Sequence, residues 1–129
     1  MKISLEAVLS RYHIRSYSDG FIVIQTPENQ IQQVSFPLFI TPDILITGRD
    51  VPELGKFDSE QSRILQTLQL EVLLVVDDSL DFRQKTDFNR SLAAIAISAE
   101  WMTLGPACRT FNLLLQDQRK VALLVNSHK

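Results

Sequence analysis

Two stretches of the chain, Val72–Val76 and Val121–Val125, are apolar without a break. The first reads as a strand buried on both faces, as helix-covered sheets contain, and the second as the last strand. Between them lie two stretches with helical spacing. In residues 82–94, Phe88 and Leu92 share one face with Ile95 just beyond. Residues 106–116 give the clearest helix, with Pro106 at the first helical position, where its missing N–H does no harm. A strand over 95–102 separates these helices, and Thr103-Leu104-Gly105 forms the turn after it. The second half therefore alternates strand and helix, which predicts α/β layering.

The first half reads differently. Leu5, Val8 and Leu9 share one helical face, predicting a short helix over 1–11. Tyr12, Ile14 and Tyr17 lead into Ser18-Asp19-Gly20, a turn signal, and residues 21–24 return as the second strand of a hairpin. Pro27-Glu28-Asn29 is another turn. Residues 34–40 read as one strand, with Pro37 marking an edge or a bulge, and Thr41-Pro42-Asp43 ends it. Residues 44–46 are short and apolar, and 48–55 read as loop. Ser59 is taken as the cap of a helix whose apolar stripe is Ile64, Leu65 and Leu68.

Composition narrows the class. With 129 residues the chain has the length of one domain, taken as 1–129, and such a domain buries roughly two-thirds of its unfolded surface. Hydrophobic residues at 45% are sufficient for that core, so disorder throughout is excluded. Thirteen Lys and Arg stand against fifteen Asp and Glu, a net charge of −2, which speaks against nucleic acid as a general partner. No segment approaches the roughly 20 apolar residues of a membrane span. Glu6 and Arg11 break the amino-terminal segment as a signal peptide. One cysteine allows no internal disulfide and favours a reducing compartment, so the expected location is cytoplasmic.

Candidate chemistry is sparse. Val72-Leu73-Leu74-Val75-Val76-Asp77-Asp78-Ser79 looks like the start of a receiver domain, where paired carboxylates suit a hard cation. The chain left after it is too short, and the last strand carries no acceptor aspartate. Asp77 and Asp78 are therefore read as loop carboxylates. His13 and His128 have no metal-ligand spacing, and the four dispersed glycines form no phosphate or dinucleotide loop. No cofactor, metal or catalytic set is expected.

The most informative segment is Thr103-Leu104-Gly105-Pro106-Ala107-Cys108-Arg109-Thr110-Phe111-Asn112, which joins a strand to a helix. Free amides gather at such a start and attract anions. Arg109 in the first turn opposes the helix dipole and calls for a compensating group. Arg109, Asn112 and Gln116 share one polar edge, opposite Ala107, Phe111 and Leu114. Cys108 reads either as a small buried hydrophobe or as a thiol with lowered pKa. Thr103, Cys108, Arg109 and Asn112 are the candidate contacts for a ligand or partner.

This segment resembles domain-of-unknown-function family 498, which includes the mitochondrial complex I assembly factor 3. Its carboxyl-terminal signature is matched by Glu100-Trp101-Met102-Thr103, Ala107-Cys108-Arg109-Thr110-Phe111-Asn112 and Arg119-Lys120-Val121-Ala122. Tyr17-Ser18-Asp19-Gly20-Phe21-Ile22-Val23 and Leu38-Phe39-Ile40-Thr41-Pro42 are similar to its opening hairpin and next strand, so the likeness spans about 12–125. Where the family has a Gly-Thr-Gly turn, this chain has Val76-Asp77-Asp78-Ser79. The resemblance implies a three-layer α/β domain with a central mixed sheet flanked by helices and an amino-terminal hairpin region. It implies no reaction. The expected function is a non-enzymatic interaction module, assembly-factor-like, with a protein partner. The alternative is a protein, or an enzyme of unknown type, that binds a small anion or molecule at the helix start from Gly105 to Asn112. Pro37 as an edge marker leaves homo-oligomerisation open.

Overall fold

The last strand lies in the middle of the larger sheet. The computed structural model describes residues 11–54 and 58–126. Five strands order as β5-β4-β8-β6-β7: β4 (Leu38–Ile40), β5 (Leu45–Thr47), β6 (Val72–Val76), β7 (Ser98–Trp101) and β8 (Val121–Val125). β8, β6 and β7 run parallel, whereas β4 is antiparallel to β8 and β5, so the sheet is mixed. A separate antiparallel sheet orders as β1 (His13–Ser18), β2 (Phe21–Gln25) and β3 (Ile31–Ser35). Three helices follow in sequence: α1 (Ser59–Thr67), α2 (Phe82–Ala93) and α3 (Leu104–Gln116). The expected mixed α/β architecture holds.

The apolar runs are explained by burial on two sides. Leu74, Val121, Leu123 and Val125 face one core with Ala107, Cys108, Phe111 and Leu115 of α3. Ile14, Ile22, Ile24 and Val34 of the smaller sheet close that core. α3 is thus packed between the two sheets. Leu73, Val75, Ala122 and Leu124 face the opposite core with Leu65 of α1 and with Phe88 and Leu92 of α2.

Local signals set the ends of the elements. The β1–β2 turn has Gly20 at φ 92°, a region that glycine enters without steric cost. Asp81 caps α2 in a full capping box with Gln84. Several expectations need correction. Residues 34–40 are two strands in two sheets, split at the cis Phe36-Pro37 bond, so the amino-terminal region is a three-stranded meander. The cap of α1 is Asp58, which accepts from the Gln61 amide at 2.9 Å, because its carboxylate reaches the free N–H that Ser59, already helical, cannot. Ile64 is 52% exposed, leaving Leu65 as the buried residue of α1. α3 starts at Leu104, two residues before Pro106. Proline fits there too, because the third helical amide is also without an intrahelical partner. The strand expected over 95–102 is confined to Ser98–Trp101, after a left-handed residue at Ala96 (φ 62°). The helix expected over 1–11 lies outside the described residues except for Arg11.

Candidate functional site

The connections around β6 create a crevice. From β6 the chain crosses through α2 to β7 on one side, then through α3 to β8 on the other. The two helices cover opposite faces of the sheet. Where successive crossovers part in this way, the carboxyl ends of the strands leave an open gap, the usual ligand position in open α/β sheets. A cleft of about 500 Å³ occupies that place. The ends of β6 (Val75, Val76), β7 (Trp101) and β8 (Val125) contribute to it, as do Phe36, Met102 and Leu104. Its polar lining is Asp77, Asp78, Lys85, Thr103 and Asn126.

Several of these side chains are held in place. Trp101 packs edge-on against Phe88, with ring centroids 5.8 Å apart at 77°. Its indole N–H donates to Asn89 Oδ1 at 2.8 Å, and Lys85 Nζ lies 5.2 Å from its ring centre. α2 therefore fixes the ring through three contacts. Asp77 Oδ1 accepts from the Ser79 amide at 2.9 Å and from Ser79 Oγ at 2.6 Å. Asn126 Nδ2 donates to the other carboxylate oxygen at 3.3 Å, tying the end of β8 to the end of β6. The Asp-Asp-Ser turn thus closes on its own side chains.

The four residues singled out from the sequence go to different places. Thr103 is the exposed N-cap of α3; it lines the cleft, and its hydroxyl makes no capping bond. The first intrahelical bond runs from the Ala107 amide to the Thr103 carbonyl at 3.0 Å, so the Leu104 amide precedes it, on a residue that lines the cleft. Arg109 is exposed and outside the cleft lining, with no hydrogen bond or ion pair among the described residues. Asn112 is a clamp. Its Oδ1 accepts from the Ile14 amide at 2.9 Å and its Nδ2 donates to the Ile14 carbonyl at 2.7 Å, so α3 imitates a neighbouring strand along β1.

Cys108 is 3% exposed in the core, and burial pushes its thiol up to about 11, with the Arg109 charge opposing only in part. It is the small hydrophobe and not the activated thiol. The unfolded chain ionises near the ordinary value of 9.0 while the native thiol stays protonated. The native state then binds more protons, so stability falls as pH rises from 9.0 to about 11. Urea unfolding across that window should show a steeper fall for wild type than for Cys108→Ala. Equal slopes would contradict the shift.

The sequence reading missed Trp101, Lys85, Phe36 and Asn126 as one site. The signal it did carry was the buried strand ending in Asp77-Asp78. Among the described residues, no group of three His, Cys, Asp or Glu is placed to hold a metal ion. No described helix is long and apolar enough to cross a membrane.

No family model and no curated protein matches the chain. Solved structures do. A protein from Xanthomonas campestris is 25% identical with a TM-score of 0.65, over 92% of this chain and 89% of that one. A Bartonella henselae protein described as an outer membrane protein is also 25% identical, with a TM-score of 0.63 over 95% and 99%. A Bordetella pertussis protein described as a Mth938-like domain is 17% identical with a TM-score of 0.61 over 98% and 89%. The chain shares the Mth938-like fold. Mth938-like domains are of the type of domain-of-unknown-function family 498, so the resemblance seen in the sequence reappears as a likeness of fold.

Proposed function

We propose that this chain is a non-enzymatic binding protein of family 498 type whose recognition site is the cleft at the ends of β6, β7 and β8. The observation that carries this reading is the cleft itself. It is largely apolar, holds a few polar groups, and lies at the start of α3, as small-molecule sites commonly do. Among the described residues no histidine or cysteine lines it, and both Asp77 carboxylate oxygens are engaged, which favours binding over catalysis. The occupant is a small molecule with an apolar body against Phe36, Met102 and Leu104. Its polar group is within reach of Thr103, Asn126 and the first amide of α3. Cys108, buried and unpaired, fits a reducing, cytoplasmic setting.

Trp101 is the only tryptophan in the chain and lines the cleft, so its emission reports occupancy directly. A screen of small carboxylates, phosphates and nucleotides should yield a ligand that changes this emission saturably. It should also raise the melting temperature, with about 2.7 kcal/mol of stabilisation at a hundredfold excess over Kd. Thr103→Phe fills the mouth of the cleft without losing a capping bond, and should weaken binding at least tenfold while the fold persists. Silence of both readouts at millimolar concentration would overturn the reading.

A second reading is an assembly-factor-like interaction module. The specific observation is Phe82, 84% exposed, one helical turn before the cleft residue Lys85. Affinity capture from the native cell should then retain a stoichiometric partner that Phe82→Asp loses. Arg109→Glu, run beside it, separates a contact on α3 from one on α2. Retention of the same partner by both variants would refute the reading.

A further inference from the structure

We propose that two copies of this chain pair antiparallel through β3, joining their three-stranded sheets into one sheet of six strands. The inference does not depend on the cleft.

β3 is an edge strand, since the smaller sheet orders β1-β2-β3. Its register with β2 pairs Val34 with Ile22 and Gln32 with Ile24. The Thr26 amide bonds to the Gln30 carbonyl at 2.8 Å and the Phe36 amide to the Gly20 carbonyl at 3.1 Å, which fixes the phase of this ladder at both ends. Hydrogen-bonded pairs alternate along an antiparallel ladder. Gln32 and Val34 therefore spend their backbone groups on β2. Ile31, Gln33 and Ser35 present theirs outward.

Exposed strand edges are ordinarily guarded by charges, proline, short length or a covering element. β3 reads Ile-Gln-Gln-Val-Ser, with no charge and no proline, and four of its five residues are exposed. Ile31 is 59% exposed. The other described edges are managed. Asn112 takes up the outward groups of Ile14 on β1. β5 is three residues long and runs straight into a 3-10 turn, and β7 has four residues with Glu100 exposed among them.

The edge is also self-complementary. A two-fold axis at Gln33 sets Gln33 against Gln33 of the second copy and Ile31 against the second copy's Ser35. All three outward residues then face outward residues, giving about six N–H···O bonds. A slip of one residue would set outward groups against inward ones and lose them all. Strand β3 is neutral, so no like charges oppose one another across the axis. The contact is small beside an ordinary stable interface, so the dimer forms at high concentration and dissociates on dilution.

Sedimentation over a concentration series should show a reversible monomer–dimer equilibrium. Gln33→Pro removes one outward N–H and leaves the β2 ladder intact. It should weaken association at least tenfold with an unchanged melting temperature. Crosslinking tests the register. Hydrogen-bonded pairs place their Cα atoms about 5.5 Å apart, within reach of a disulfide. Gln33→Cys should therefore oxidise to a covalent dimer, with Cys108 too buried to compete. Ser35→Cys is equally outward-facing, but its two copies would lie about 13 Å apart along the strands, so it should stay monomeric. A monomer at every concentration, a dimer indifferent to Gln33→Pro, or equal crosslinking at both positions would overturn the proposal. So would pairing of β3 with another protein's strand in place of its own copy.

Discussion

Asn112→Ala lowers the unfolding free energy by about 2–4 kcal/mol, the loss expected when a part-buried amide and a carbonyl both lose their partner. One side chain supplies both of those bonds, at 2.9 and 2.7 Å, to a residue 98 positions away. Water cannot easily replace it, because Ile14 is 5% exposed and packs in the core that α3 closes. Asn112→Asp sharpens the test. A carboxylate still accepts from the Ile14 amide but sets an oxygen against the Ile14 carbonyl. That variant should be weaker than wild type at neutral pH and recover in part as the carboxyl protonates near pH ~4. Urea titration gives both values. A loss below about 0.5 kcal/mol for the alanine variant, the range of ordinary surface changes, would mean the clamp is incidental.

Phe111→Ala costs more, about 3–5 kcal/mol. The ring is fully buried and lies in the core shared by the two sheets. Its neighbours are held by their own strand ladders: Ile14, Ile22 and Ile24 on one side, Leu74 and Leu123 on the other. The walls cannot close on the vacated volume, so the cost should fall toward the upper end. Leu113→Ala is the internal control. Its side chain is 66% exposed, and a change within about 0.5 kcal/mol is expected. Similar losses in both variants would mean that α3 contributes through helix formation and not through the side chains it buries.

The elements legible in the sequence were those whose surroundings are uniform. Val72–Val76 and Val121–Val125 are buried on both faces, so every position is apolar and the strand is evident without its partners. The strand read over 34–40 failed for the same reason. Its apolar residues serve two different sheets, and hydrophobicity does not record which sheet a side chain faces. The Ala107-to-Asn112 motif was legible as important, but not as to why. Ala107, Cys108 and Phe111 are buried, Arg109 is exposed, and Asn112 grips a strand from the other end of the chain. A motif that looked like a ligand site is chiefly a joint between two sheets. Beyond Asp77-Asp78 and Thr103 the cleft left no local trace, because its lining comes from segments near positions 36, 76, 85, 102 and 125. Only the crossovers around β6 bring them together.

The position of β8 has a consequence for how the protein is made. β4 and β6 flank it, yet both leave the ribosome before it exists. About 80 residues separate the end of β4 from the start of β8, roughly 4–16 s of synthesis at ordinary rates. Through that interval β4 and β6 lack the strand they share, and α3, which covers the meander of β1 to β3, is itself translated after both. The larger sheet therefore closes only once β8 has been made. Until then the apolar strands Leu38–Ile40 and Val72–Val76 stand without the neighbour that buries the edge between them.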